Sequence, residues 1–170
     1  VTITSQRVTD GDANNAAFVP YYSTDFLSYY TGTIGTQTGP LLYSMDHSVF
    51  DAGDYFETTF TLATAVQSLA FTVANVDRLF DTIRWHDAVV IEYDTGTGTW
   101  LNLRSLPAAY TLGANVGTTT INGQQGFHGT NYTASLTSPN ADIRVAFGAA
   151  VTVKRVRIRY YFGQLNPAMD

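Results

Sequence analysis

Apolar and polar residues alternate with a period of two through most of this chain, and that alternation places its elements. Residues 1–8 read as an opening strand. In 53–63, GDYFETTFTLA, Phe56, Thr58, Phe60 and Leu62 fall on one face and Tyr55, Glu57, Thr59 and Thr61 on the other, so one face is dry and one wet. The stretch 69–93, LAFTVANVDRLFDTIRWHDAVVIEY, organises the rest. After a short turn near 65–68 come two β-prone runs, LAFTV and AVVIEY, joined by a polar link. Leu69, Phe71 and Val73 face the core in the first; Val89, Ile91 and Tyr93 repeat the pattern in the second. The Gly-containing turn DTGTGT then predicts a hairpin between AVVIEY and WLNL. Strands follow at YTL (110–112), at 142–148 and at 151–162, where Val156, Ile158, Tyr160 and Phe162 oppose Arg155, Arg157, Arg159 and Tyr161. That last strand is expected to be buried on one side only.

Between these runs, DGDANN (10–15) is a strong turn signal, GTIGTQTGP (32–40) reads as a loop, and the Gly-, Thr- and Asn-rich stretch 113–129 as a surface wrap. No stretch has sustained helical periodicity, and no internal repeat is visible. Eight or more short strands in 170 residues predict one all-β domain, a two-sheet antiparallel β-sandwich and most simply a jelly roll.

Composition narrows the setting. Charged residues are 14% of the chain against roughly 25% in typical soluble domains, so its polarity rests on Thr, Ser, Asn, Gln and Gly. Such low-charge, Thr-rich β-chains are common outside cells. A net charge of -5 excludes general nucleic-acid binding, which needs many phosphate-neutralising cations. No apolar run approaches the length of a membrane span, so membrane insertion is not expected. The absence of cysteine makes the fold indifferent to redox conditions. A start at Val1, without Met, suggests a processed or excised domain, which a signal peptide could have preceded.

Four sets of residues could carry chemistry. Asp77, Asp81 and Asp87, on a link between strands, supply the hard oxygens that calcium takes, making Ca²⁺ the candidate cofactor; the alternative is that they pair with Arg78 and Arg84 or cap turns. Tyr21, Tyr22, Phe26, Tyr29 and Tyr30, with Trp85, could stack on sugar rings, or else cover one end of the core. Arg155, Arg157 and Arg159 could bind an anionic polysaccharide through guanidinium forks. The competing reading sets them across from Glu57 and Glu92 as cross-strand ion pairs.

Those are also the chain's two glutamates, so a small jelly-roll glycosidase using both is conceivable. The contexts FETTF and VIEYD do not form a glycosidase signature, and no nucleophile elbow, zinc-hydrolase motif or phosphate loop occurs. His47, His86 and His128 are widely spaced and unpatterned, and His86 and Asp87, as strand neighbours, face opposite sides. Asn131-Tyr-Thr is a formal glycosylation sequon.

The segment TLATAVQSLAFTVANVDRLFDTIRWHDAVVIEYD and the closing AVTVKRVRIRYYF resemble β-sandwich domains of bacterial secreted and cell-surface proteins such as adhesins. The resemblance covers about a third of the chain. It implies a secreted or cell-surface, non-catalytic module that binds a glycan, a peptide or a surface protein, often with calcium. The alternatives are a structural subunit of a fibre or layer that self-associates through strand edges, and the glycosidase.

Overall fold

The computed structural model describes residues 1–11, 27–29, 33–34, 37–38, 41–43, 53–79, 85–133 and 138–163, with backbone alone for 27–43, Leu79, Trp85 and Phe162. In chain order the strands are β1 (Thr2–Val8), β2 (Leu27–Tyr29), β3 (Thr33–Ile34), β4 (Gln37–Thr38), β5 (Leu41–Tyr43), β6 (Tyr55–Gln67), β7 (Ala70–Val73) and β8 (Arg78–Leu79). They continue with β9 (Trp85–Asp94), β10 (Leu101–Asn102), β11 (Tyr110–Leu112), β12 (Val116–Ile121), β13 (Gln124–Gly129), β14 (Ile143–Ala146) and β15 (Thr152–Gly163). Short 3₁₀ turns sit at Leu103–Ser105, Pro107–Ala109 and Pro139–Ala141, and no α-helix occurs among the described residues.

Two antiparallel sheets make an all-β sandwich. The larger runs β1-β6-β15-β9-β13-β12, with β8 and β10 attached to β9; the smaller runs β11-β14-β7. Alternation explains the shared core: Val89, Ile91 and Tyr93 from β9 meet Val156 and Ile158 from β15 and Ile143 and Val145 from β14, all buried. Leu69, Phe71 and Val73 pack against the same cluster from the smaller sheet. The outer face of the larger sheet carries the other parity, with Ala88, Val90, Ile121 and Tyr161 forming a second, smaller buried cluster.

The link between LAFTV and AVVIEY crosses from layer to layer, since β7 lies in the small sheet and β9 near the middle of the large one. Several expectations need correction. The stretch 113–129 is a regular hairpin, β12–β13, reversing at Asn122 (φ 47°) and Gly123 (φ 75°), a pair whose positive φ angles suit a two-residue turn between twisted strands. Residues 32–40 hold the small β3–β4 pair rather than plain loop. The turn expected near 65–68 shrinks to Ser68 (φ 56°), because β6 continues to Gln67.

The last strand is buried on more than one side. It lies between β6 and β9, and Arg159 and Tyr161 on its polar face are nearly as buried as the core. A break in register against β6, between Val153 and Arg155, lets Val153 and Val156 both reach the interior despite their odd spacing.

Candidate functional site

Three strands side by side, β6, β15 and β9, present their even- or odd-numbered polar residues on one face, and the register decides which charges meet. Arg159 lies opposite Glu57, Arg157 opposite Glu92 and Arg155 opposite Asp94. Arg155 Nε donates to Asp94 Oδ2 at 2.7 Å, and its Nη2 lies 2.7 Å from the same oxygen. Arg157 Nε donates to Glu92 Oε2 at 2.8 Å, and its Nη2 lies 2.6 Å from the same oxygen. Arg159 Nε donates to Glu57 Oε2 at 2.9 Å, and its Nη2 lies 3.5 Å from Glu92 Oε2.

The ladder is closed at its ends. Gln6 Nε2 donates to Glu57 Oε1 at 2.9 Å, Arg159 Nη1 donates to Gln124 Oε1, and Asp94 Oδ1 accepts the backbone N–H of Gly96, Thr97 and Gly98 at 2.9, 3.0 and 3.1 Å. Above it, the Trp100 ring centroid is 4.7 Å from the Arg155 guanidinium carbon and 4.3 Å from that of Arg157.

Electrostatics follow from this packing. Burial alone would push the Asp94 carboxyl up, but the Arg155 guanidinium and the turn N–H groups outweigh it and hold the group below its ordinary range. For Arg159 burial works against the charge, and Glu57 and Glu92 more than compensate, so its pKa is raised. The arginine row therefore takes the cross-strand arrangement of the two weighed in the sequence. Glu57 and Glu92 approach β15 from opposite sides, with the Arg157 and Arg159 guanidiniums between them.

The second group is the aspartates. Asp77 and Asp87 come together, each nearly inaccessible. The Asp77 N–H donates to Asp87 Oδ2 at 3.3 Å, the Asp87 N–H to the Asp77 carbonyl at 3.0 Å, and the Tyr160 hydroxyl to Asp87 Oδ1 at 2.7 Å. Thr133 N–H donates to Asp77 Oδ2 at 3.2 Å. Gly129 packs so closely on this bend that a Cβ there would overlap the Asp77 carbonyl. Burial, and then the Asp77 charge, push the Asp87 carboxyl up to about 8.

Asp81 and Arg84 lie outside the described residues. Calcium wants six to eight oxygens, whereas among the described residues no third His, Asp or Glu joins this pair. The described residues do not by themselves make a calcium shell.

Sequence reasoning missed the third group. His86 and His128 meet, Nε2 to Nδ1, at 3.0 Å with ring centroids 5.1 Å apart and His86 fully buried. Their strands pair with His128 opposite Ala88, two residues from His86 and on the same face, so the rings touch diagonally. Only the register of the unrecognised β13 could have revealed this. His86 and Asp87 do face opposite sides.

Of the aromatic candidates, Tyr21, Tyr22, Phe26 and Tyr30 lie outside the described residues. Tyr29 is in β2 and Trp85 opens β9, with their side chains not described. His47 and residues 12–15 of the DGDANN turn also lie outside.

No protein-family model matches this chain, and comparison with curated proteins and with solved structures finds no match.

Proposed function

We propose that this chain is a non-catalytic extracellular binding module that recognises an uncharged partner, a neutral glycan or a peptide stretch on a surface protein. The observation that carries this reading is the mutual saturation of the ladder. Three guanidiniums and three carboxylates are spent on one another, so the groups best able to polarise a bond or grip a polyanion serve the sheet instead. Beside exposed Arg7, Asp10 and Arg144, the described residues offer hydroxyls outward: Thr2 and Thr4 on β1, and Thr118 and Thr120 on β12, with Tyr132 at 44% exposure. Such side chains hydrogen-bond polar ligands without the desolvation cost of a charge. The low-charge composition and the resemblance to bacterial surface sandwiches support the extracellular setting.

An array of neutral glycans, sulfated and uronic polysaccharides and peptides, run with and without chelator, tests the proposal. Saturable binding to a neutral glycan or peptide is the expected result. A flat response throughout, or binding confined to the anionic polysaccharides, overturns it.

A further inference from the structure

We propose that Asn122 is a covalent modification site: its side chain closes on the Gly123 amide nitrogen, and the cyclic imide so formed opens with water to aspartate and isoaspartate. Asn122–Gly123 is the one place in the chain where glycine follows asparagine. The pair forms the exposed tip of the β12–β13 hairpin, and a Cβ built on Gly123 would meet nothing within 4 Å, so nothing crowds the reacting residue.

The turn is already shaped for closure. Both φ angles are positive, 47° at Asn122 and 75° at Gly123, as in a type I′ turn. Ring closure brings the Asn122 Cα–C bond to a ψ of about −120°, which together with a positive φ is the first central position of a type II′ turn. The two turn types differ by a flip of the single Asn122–Gly123 peptide plane, and glycine accepts the negative φ that the flip gives it. The flanking strands need not move, because the ladder pairs Ile121 with Gln124 and the Gly123 N–H takes no part in it.

Other asparagines lack this combination. Asn75 also has a positive φ, 61°, but the next amide, the Val76 N–H, donates to the Ala141 carbonyl at 2.8 Å. After Asn115 the Val116 N–H donates to the Gly113 carbonyl at 3.1 Å, and the Asn115 side chain itself donates to Thr133 Oγ1 at 2.7 Å. Asn102 is held at both ends of its carboxamide, by the Arg104 N–H and the Gln125 carbonyl.

The atoms balance with water as the one co-reactant. The Gly123 nitrogen bonds to Asn122 Cγ and gives its proton to solvent, while the Cγ–Nδ2 bond breaks and ammonia leaves. Water then cleaves the imide on the Cγ side, giving aspartate, or on the main-chain carbonyl side, giving isoaspartate. Either product carries a new carboxylate. Isoaspartate also adds a methylene to the main chain of a two-residue turn, next to Gln124, whose Oε1 accepts from Arg159 of the ladder.

The folded wild-type chain, kept in warm, mildly alkaline buffer and mapped by fragment-ion mass spectrometry, should gain one mass unit at Asn122. It should also become more acidic on ion exchange and turn into a substrate for an isoaspartyl methyltransferase. Asn75, Asn102 and Asn115 should keep their mass. Asn122→Gln, which would have to close a larger ring, should stay unmodified. Gly123→Ala, checked for folding by circular dichroism, should react many-fold more slowly, since its Cβ opposes the positive φ and crowds the nitrogen. The urea-unfolded wild-type chain supplies a comparison that needs no variant, and the folded chain should react nearly as fast. A folded wild-type chain that keeps its mass overturns the proposal, whatever the unfolded chain does. So does an equal gain at Asn75 or Asn115, or a folded Gly123→Ala chain that reacts as fast as the wild type.

Discussion

Asp87 and Asp94 stand near opposite ends of one strand, point to opposite faces of one sheet, and ionise in opposite directions. Asp94 is 1% exposed, yet it gathers three turn N–H groups and a guanidinium and stays below its usual pKa. Asp87 has one phenol, one amide and a second carboxylate for company, and is lifted to about 8. Burial acts on both in the same sense. Neighbours of opposite sign reverse it at one end, and a neighbour of like sign reinforces it at the other.

Removing the well-matched end should have the largest effect. Asp94→Ala leaves the partly exposed Arg155 guanidinium without its carboxylate and three turn amides without their acceptor, and should cost about 2 kcal/mol in a chemical-denaturation experiment, the size expected when donors lose a buried acceptor. A cost within error of zero would mean that solvent replaces the carboxylate, and the contrast between the ends would lose its energetic content.

The ill-matched end should declare itself through pH. A group whose folded pKa is raised contributes stability that is fully present below its unfolded value of 3.8 and is lost as pH rises through the folded value, here about 8. Thermal stability should therefore fall between mildly acid and mildly alkaline solution. Asp77→Asn removes the like charge while keeping an oxygen for the Thr133 N–H, and should move the midpoint of that fall to lower pH. A midpoint that does not move would show that burial alone sets it. Asp94, with its pKa depressed, has the opposite dependence: its contribution is present above the unfolded value and lost as pH falls through the folded one.

The smallest change concerns the lid of the ladder. Trp100→Ala removes the ring over Arg155 and Arg157 and should cost about 1 kcal/mol, the usual size of a partly exposed cation–π contact. A loss that vanishes in the Arg157→Ala background, in a double-mutant cycle, would locate the interaction in that pair.

Where a run alternated without interruption, its strand and inward face could be read directly: Phe56 and Thr58 in β6, Val89, Ile91 and Tyr93 in β9, and Val156 and Ile158 in β15 are buried as alternation requires. The ladder was legible for the same reason, since parity alone put Arg157 and Arg159 on the face of Glu57 and Glu92. The β12–β13 hairpin was missed because Gly, Thr and Gln outnumber its large apolar residues. The Asn122–Gly123 pair was its clearest signal, and it was masked by the polar residues around it. The contact of His86 with His128 and the union of Asp77 with Asp87 depend on strand register and on a chain crossing between layers. A periodicity within one run carries neither.

β15 is inserted between β6 and β9, strands translated well before it. A nascent chain that has produced everything up to the Thr152–Gly163 segment still holds two unzipped seams at what will become the middle of its larger sheet, and ring closure over such separations is slow. Until the ribosome releases that segment, the partly made protein is exposed to sticking and is suited to a holding chaperone.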